Sequence, residues 1–313
     1  MTIKVVRPGL QSTLQAGPRL GQRHLGIPSG GAADPLSLAL ANRLVGNDWD
    51  TPAIEAALAG PTLRFGADTT LAVTGGRAMP VLDGERVGCH RALTARAGDE
   101  LEIGPVEIGA RVYLAVAGGF DADEVLGSRS TDLQAEFGGF RGRALKAGDT
   151  LVAGGVTVDA LETPAEFRPN FSSAWGLRAC ASAEAAWLDD KSMAALFDTN
   201  WVVDRRADRM GLRLDGPRLA ITSDGRMPSA GVFPGTIQCP EDGRPYVLAV
   251  DAGTVGGYPR IAQVARVDRH ILGQLRPGDH VRLLERSPGE AVAELREKIA
   301  CWRPWLPDVA AIL

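Results

Sequence analysis

The chain is poor in the residues that build disulfide frameworks and zinc sites. Its 313 residues include four cysteines, which lie far apart: Cys89, Cys180, Cys239 and Cys301. No C-x-x-C pair and no histidine set at zinc-ligand spacing accompanies them. The pattern predicts reduced, partly buried thiols and no metal site.

Long apolar runs and an excess of positive charge are also missing. The net charge is −4, so no basic surface for nucleic acid is expected. The first residues contain no apolar run of signal-peptide length, and no later segment approaches a membrane span. We therefore expect a cytoplasmic protein that binds neither nucleic acid nor membrane.

Several motifs with well-understood chemistry are absent. The chain has no G-x-x-x-x-G-K-[ST] loop, no G-x-S-x-G elbow and no H-E-x-x-H helix. The dipeptide Met-Lys, the usual setting of a biotinylated lysine, is missing as well. We expect neither P-loop binding of ATP nor a biotin-carrier role in this chain itself.

Glycine and proline, by contrast, are abundant and evenly spread. The 38 glycines and 20 prolines predict many short strands joined by turns, hence a mainly β fold. One phrase recurs at Leu71–Gly76, Leu114–Gly119 and Leu248–Gly253. Each copy is a short apolar run stopped by small residues, which is typical of a strand that is buried on both faces and ended by a tight turn.

Helical signals are few. Asp34 and Pro35 begin a capped amphipathic segment that Gly46 can close. A second helix is predicted from Asp189 to Phe197, and a third after Ser287-Pro288.

The prolines of Thr163–Asn170 resist regular structure and predict a domain boundary. We expect a β-rich N-terminal half at 1–162, a second β half at 171–286 and a C-terminal helix within 287–313.

Two candidate sites occur in the first half. The first is Arg23–Asp34. Ser29 and the amides near Gly30 there form either a site for an anionic ligand at the helix start or a loop that only caps the helix. In Leu126–Thr131, Arg129 sits among hydroxyls, either as a carboxylate or phosphate site or within a polar turn that satisfies neighbouring carbonyls.

Two more candidate sites occur in the second half. Asp208 beside Arg209 favours a structural ion pair. The glycine-rich stretch Asp251–Val264 is either a bulged connection between strands or backbone shaped around a ligand. With Gln238 upstream, its polar groups fit a small amide or ureido group better than a nucleophile and base.

In chain order these phrases resemble a family of biotin-dependent carboxyltransferases that includes the C component of 5-oxoprolinase, KipA and the second carboxyltransferase segment of urea amidolyase. The matching phrases are Arg23–Pro28, Gly30–Asp34, Leu40–Asn47, Leu58–Pro61, Tyr113–Gly119, Leu126–Thr131, Asp208–Leu214, Gly235–Gln238 and Gly256–Ala262.

The chain departs from the family pattern at three positions. Ala16 stands where relatives usually carry a carboxylate, Ala207 replaces a usual serine, and Val255 replaces a usual threonine. If those side chains touch substrate in relatives, a different substrate or a weaker activity is expected here.

The resemblance implies cyclophilin-like β-barrels in two halves with a few short helices. It also implies partners similar to the A and B components of 5-oxoprolinase, a complex that uses ATP, and a small amide or ureido substrate. The predicted substrate-binding residues are Ser29, Gly30, Arg129, Ser130, Asp208, Arg209, Gln238, Asp251, Thr254, Gly256, Gly257 and Tyr258. No catalytic residue is assigned.

Three functions follow from the resemblance. The first is a subunit of an ATP-dependent 5-oxoprolinase that makes L-glutamate from 5-oxo-L-proline and is inactive alone. The second is the acceptor-side half of a carboxyltransferase that is served by biotin on a separate carrier. The third is a KipA-like regulator that binds a partner without catalysis.

Overall fold

In a computed structural model, residues 1–222 and 227–313 are described. They divide into two units by their contacts. The sheet unit comprises Met1–Leu20, Gly30–Phe171 and Trp302–Ile312; the barrel unit comprises Gly21–Ser29 and Ser172–Cys301 together with Leu313. Each unit thus contains segments that are not contiguous in the chain. The domain bounds expected from the sequence stay a prediction.

A ten-stranded sheet forms the core of the sheet unit. Its strands are β1 (Thr2–Arg7), β2 (Gln11–Gln15), β3 (Ala53–Ala57), β4 (Ala59–Phe65), β5 (Thr69–Ala78), β6 (Val81–Leu82), β7 (Glu85–Arg86), β8 (Ala92–Ala95), β9 (Glu100–Val116) and β10 (Thr150–Val152). The long strand β9 pairs with β3, β4, β5 and β6. It therefore joins the part of the sheet formed by β10, β1 and β4 to the part formed by β3 and β2.

The central strands β3, β5 and the second half of β9 bury side chains on both faces of the sheet. Ile54, Val73 and Leu114 are fully buried and belong to one hydrophobic cluster of the sheet unit. Ile54 and Val73 both pair with Leu114, from opposite sides of β9. Burial of side chains of this size contributes roughly 1.5–3 kcal/mol each.

Two of the three predicted apolar phrases form strands, whereas the third, Leu248–Gly253, contributes only Leu248 to a strand. Leu114–Val116 ends β9 as expected, before a turn at Gly118 and Gly119 that takes positive φ. In β5, however, the strand continues through Gly75 to Ala78. Gly75 has a φ of 91° and the register with β9 shifts immediately after it. The glycine therefore makes a β-bulge rather than a turn.

Helix α1 (Pro35–Leu44) confirms the first helical prediction. The Asp34 carboxylate accepts the Ser37 N–H at 3.1 Å, which satisfies one of the free donors at the helix start. Leu38 and Ala41 are buried in a cluster with Tyr113 of β9. Gly46, with a φ of 73°, follows the last turn.

A closed seven-stranded barrel forms the core of the barrel unit. The strands of this unit are β11 (Ala174–Ala181), β12 (Asn200–Val203), β13 (Gly211–Asp215), β14 (Ala230–Gly231), β15 (Thr236–Gln238), β16 (Tyr246–Leu248), β17 (Val255–Gly256), β18 (Arg260–Val264) and β19 (His280–Glu285). The barrel order is β11-β18-β15-β16-β13-β12-β19, and β14 with β17 forms a separate ribbon. The barrel closes through parallel pairing of β11 with β19.

The remaining helices are short or lie in the last part of the chain. They are α2 (Asp190–Asp198), α3 (Pro288–Trp302) and α4 (Val309–Ile312), with 3-10 turns at Arg23–Leu25, Ala165–Phe167, Ala183–Trp187 and Arg266–Gln274. The second and third helical predictions are thus confirmed, as is the mainly β fold class. Within 1–222 and 227–313, no helix is long and apolar enough to cross a membrane, and no cluster of three or more potential ligands is arranged for a metal.

His90 is a buried titratable group in the sheet unit. It lies in the connection between β7 and β8, with a left-handed φ of 61°, and its N–H donates to the Val73 carbonyl at 2.8 Å. Burial, followed by the positive charge of Arg168, lowers the pKa of His90 to about 4. The ring is therefore neutral at neutral pH.

This burial predicts a pH-dependent stability. Because the folded-state pKa lies below the ordinary 6.5, the neutral ring stabilises fully above pH 6.5, and that contribution is lost as the pH falls toward 4. The loss in unfolding free energy is expected to reach about 3 kcal/mol. In His90→Asn, which tolerates the left-handed backbone, urea titrations across this range should show a shallower pH dependence. An unchanged slope would contradict the assignment.

Candidate functional site

The candidate site in the barrel unit is built where β13 begins and β16 ends. The Asp208 carboxylate accepts the N–H groups of Met210 and Gly211 at 2.7 and 3.1 Å, which turns the chain into β13. Beyond β16, the Ala249 N–H donates to the Met210 carbonyl and the Asp251 N–H to the Arg209 carbonyl. The pairing of the two strands is thus prolonged past their ends.

A bidentate ion pair between Arg209 and Asp251 lies at the end of this extension. Nε donates to Oδ2 at 2.6 Å and Nη2 to Oδ1 at 3.0 Å. The two side chains are 6% and 10% exposed. The sequence favoured a pair between Asp208 and Arg209; the structure instead pairs Arg209 with a carboxylate 42 residues away. The paired guanidinium fixes the start of the glycine-rich stretch.

The glycine-rich stretch then forms the second strand of the ribbon. The Val232 N–H donates to the Thr254 carbonyl at 3.0 Å, and β17 pairs with β14. The carbonyl of Tyr258 accepts the Gln238 amide Nε2 at 3.4 Å. Gln238 thereby contacts the end of the stretch, at Gly256 and the Tyr258 carbonyl.

Only one of the three glycines in this stretch is sterically required. A Cβ on Gly256 would lie 2.5 Å from Gln238 Nε2, closer than such atoms approach. Gly253 and Gly257 meet only ordinary contacts at 3.6 Å or more. None of the three takes positive φ. Close approach of backbone to an amide side chain, rather than a left-handed turn, therefore explains Gly256.

Two arginines donate to neighbouring backbone carbonyls at the end of β14. Arg23, in the first of the sequence clusters, donates through Nη2 to the Val232 carbonyl, and its guanidinium lies 5.1 Å from the Phe233 ring centroid. Arg260 donates to the Gly231 carbonyl at 3.2 Å while pairing with Glu184 at 2.6 Å. Ser29 belongs to the same unit and is half-buried.

A pocket of about 420 Å³ opens beside Tyr246, the cross-strand neighbour of Gln238, although Gln238 itself does not line it. Cross-strand pairing places Arg213, Tyr246 and Gln238 side by side on β13, β16 and β15. Arg213 and Tyr246 line the pocket together with Tyr258. Burial, followed by the negative charge of Asp208, raises the pKa of Tyr246, so its phenol keeps the proton at neutral pH.

The remaining predicted residues lie in the sheet unit. Ser130 is fully buried; its hydroxyl accepts the Ala16 N–H at 2.9 Å and donates to the Gly17 carbonyl at 3.2 Å. The Arg129 side chain is 53% exposed and pairs with Glu124 at 3.2 Å. The hydroxyls of this loop thus satisfy carbonyls of the chain, while its guanidinium faces outward.

Sequence reasoning missed Arg19, which supports that loop from below. Arg19 is fully buried, donates from Nε to the Val125 carbonyl at 3.0 Å and from Nη2 to the Ser130 carbonyl at 3.2 Å, and lies 4.6 Å from the Phe137 ring centroid. Arg19 lies three residues after Ala16, the position at which relatives usually carry a carboxylate. This proximity was the available signal.

The start of α1 is occupied by a carboxylate of the chain itself. Glu55 Oε2 accepts the Ala33 N–H and the Tyr113 hydroxyl, both at 2.8 Å. The Asp34 N–H donates to the same hydroxyl oxygen at 2.8 Å. Burial, followed by the charge of Glu55, raises the pKa of Tyr113. Gly30, with a φ of 57°, precedes this network, and its role toward a ligand stays a prediction.

Gly256→Ala should expose the steric requirement at the ribbon. The new methyl group would displace the end of the Gln238 side chain and its hydrogen bond to the Tyr258 carbonyl, and we expect a cost of about 1 kcal/mol in unfolding free energy. Gly253→Ala is the matched control, since its backbone is compatible with alanine and its surroundings are open; it should be neutral or slightly stabilising. Equal effects of the two substitutions in urea titrations would refute this explanation.

Asp251→Asn should reveal how strongly the buried ion pair is needed. Removing one charge leaves Arg209 buried without its counter-charge, at an expected cost of about 3–5 kcal/mol. Glu100→Gln, which breaks the exposed pair with Arg64, should cost less than about 1 kcal/mol. A small effect at Asp251 in thermal or urea unfolding would show that the pair is dispensable.

Comparison with known proteins identifies the family. The family model for the carboxyltransferase domain, subdomain A and B, matches residues 25–285. The chain is 39% identical to the C component of 5-oxoprolinase from Escherichia coli over 93% of either chain. It is 32% identical to urea amidolyase of Saccharomyces cerevisiae over 91% of its own length, which is 17% of that longer protein.

Solved structures give the same result. The crystal structure of the Kluyveromyces lactis urea carboxylase superposes with a TM-score of 0.88 at 30% identity, covering 95% of this chain and 29% of that one. The resemblance drawn from short phrases is thereby confirmed. Since the family model spans most of the sequence and the bacterial relative aligns along nearly all of it, this chain belongs to the carboxyltransferase domain family, subdomain A and B.

Proposed function

We propose that this chain is a subunit of an ATP-dependent 5-oxoprolinase that converts 5-oxo-L-proline to L-glutamate together with partner subunits. The observation that carries the proposal is the 39% identity to the C component of 5-oxoprolinase along 93% of both chains. A second relative of the same name, from Haemophilus influenzae, is 37% identical over 92% of both chains. The urea amidolyase match, by contrast, covers a fraction of a much longer protein.

The geometry of the barrel site supports recognition of an amide. Gln238 carries both an amide donor and an acceptor, and it lies against the Tyr258 carbonyl and the Gly256 backbone. Such groups bind and orient a lactam or ureido edge, which lowers the entropic part of a reaction barrier. We assign no nucleophile or general base to this chain.

The proposal assigns ATP binding and substrate binding to different subunits of the complex. This chain has no P-loop, so in the proposed complex ATP is handled by a partner similar to the A or B component of 5-oxoprolinase. The chain then contributes part of the site for 5-oxo-L-proline and is inactive alone. Of the predicted substrate-binding residues, Gln238, Thr254, Gly256, Gly257 and Tyr258 of the barrel unit belong to this proposal, and Arg129 of the sheet unit is tested separately.

The alternative of a biotin-dependent carboxyltransferase is favoured by the structural match to urea carboxylase. In that function, carboxybiotin arrives on a separate carrier, because no lysine here lies in the Met-Lys setting. The acceptor would then be urea or a related ureido compound, held by the same amide-recognising groups.

Glutamate release from 5-oxo-L-proline tests the proposal. The chain is co-expressed and purified with its partner subunits, and glutamate is followed with and without ATP. ATP-dependent glutamate formation that disappears when this chain is omitted is the expected result. An intact complex that releases no glutamate would overturn the proposal.

Arg129→Lys tests the outward-facing arginine of the sheet unit. Lysine keeps the charge but lacks the planar fork, so we expect about tenfold lower kcat/KM in the complex, the equivalent of one charge-assisted hydrogen bond, with unchanged folding. Glu124→Gln, which removes only the surface partner of Arg129, is the control and should retain activity. Unchanged kinetics in Arg129→Lys would remove this residue from the site.

A further inference from the structure

The pocket beside Tyr246 has a donor that the protein does not use fully. Arg213 donates through Nη2 to the Asp242 carboxylate. Its Nη1 has no hydrogen-bond partner in 1–222 or 227–313 and is the donor that a molecule in the pocket can reach, since the unpartnered Nε is buried. A guanidinium with five N–H donors is thus left partly unsatisfied at the wall of a pocket.

Arg209, by contrast, has little left to offer a ligand. Both its Nε and its Nη2 are spent on Asp251, and the side chain is 6% exposed. Among the arginines of the barrel site, Arg213 is therefore the better placed to donate to a bound molecule.

Two tyrosines give the pocket its shape. Tyr246 packs against β13 at Gly211, where a Cβ would lie 2.4 Å from the ring, so glycine there allows the ring to lie flat on the strand. Its protonated hydroxyl is a donor without a partner among the residues that the structure describes. Tyr258 lines the pocket as well, and its carbonyl is tied to Gln238. The rings supply apolar surface for a small planar ligand.

Charges around the pocket are balanced. Arg213 and Arg244 line it together with Glu241 and Asp242. Asp242 is paired with Arg213, and Arg244 with Asp215 at 3.1 Å. The exposed carboxylate of Glu241 has no partner within the described ranges. A pocket that offers both hydrogen-bond donors and an acceptor suits an amide edge, with its C=O and its N–H.

We propose that this pocket is a lactam subsite, which takes a five-membered cyclic amide with its carbonyl toward Arg213 and Tyr246 and its N–H toward Glu241. The proposal deepens the proposed function and rests on it for the identity of the substrate. The apolar ring carbons lie against the tyrosine rings, so urea, which has none, binds more weakly.

The three tyrosines of the chain provide a direct probe. Incorporation of 3-fluorotyrosine in the full chain gives three ¹⁹F resonances, assigned by single Tyr→Phe variants. Pyrrolidin-2-one and 5-oxo-L-proline should each cause saturable shifts of the Tyr246 and Tyr258 resonances. The resonance of Tyr113, fully buried in the sheet unit, should not move and reports that the fold is intact.

Matched variants identify the donors. Arg213→Lys and Tyr246→Phe should each weaken lactam binding about tenfold or less, as expected for one hydrogen bond. Arg218→Lys is the control, because Arg218 also lies near Asp242, at 3.8 Å, but does not line the pocket; it should bind as the parent does. No saturable shift, equal affinity for urea, or unchanged affinity in both Arg213→Lys and Tyr246→Phe would overturn the subsite.

Failure of the subsite and failure of the proposed function give different results. If the complex releases glutamate and Arg213→Lys has no effect on its KM, the subsite is wrong and the function stands. If the complex releases no glutamate while the chain binds pyrrolidin-2-one through Arg213, the subsite stands and the function is wrong.

Discussion

The buried ion pair between Arg209 and Asp251 is the constraint on which the barrel site depends. It joins residues 42 positions apart and holds the ends of β13 and β16 in register beyond the last barrel hydrogen bonds. A charge at one position without the other would lose its hydration without compensation, so substitution of either residue alone is expected to destabilise the barrel unit. From this fixed point the chain enters the ribbon, and the ribbon places Gly256 and the Tyr258 carbonyl against Gln238.

The sheet unit solves a related problem with its own side chains. Long irregular segments carry backbone groups that need partners when they are buried. Arg19 and Ser130 satisfy carbonyls and an amide around the loop that carries Arg129, and Glu55 accepts an amide before α1. For the glycine-rich loop ahead of the helix the sequence left open an external anion or a helix cap; in the structure Asp34 caps the helix and Glu55 accepts the amide just before it.

Local signals account for what the sequence predicted well. The caps at Asp34 and Asp189 bind amides three residues on, and such signals lie within one turn of helix. Long-range contacts account for what it did not predict. The partner of Arg209, the supporting role of Arg19 and the bulge at Gly75 each depend on a strand or loop far away in sequence. The family itself was identified from short phrases, since their order along the chain is specific even where each phrase is weak.

Two chemistries are proposed for the barrel site, ring opening of a lactam and carboxylation of a ureido group. The most direct measurement is the rate of ATP hydrolysis by the assembled complex, with 5-oxo-L-proline or urea as the stimulating substrate and with or without avidin. The account predicts stimulation by 5-oxo-L-proline that avidin does not affect. Stimulation by urea that requires bicarbonate and is abolished by avidin would contradict it.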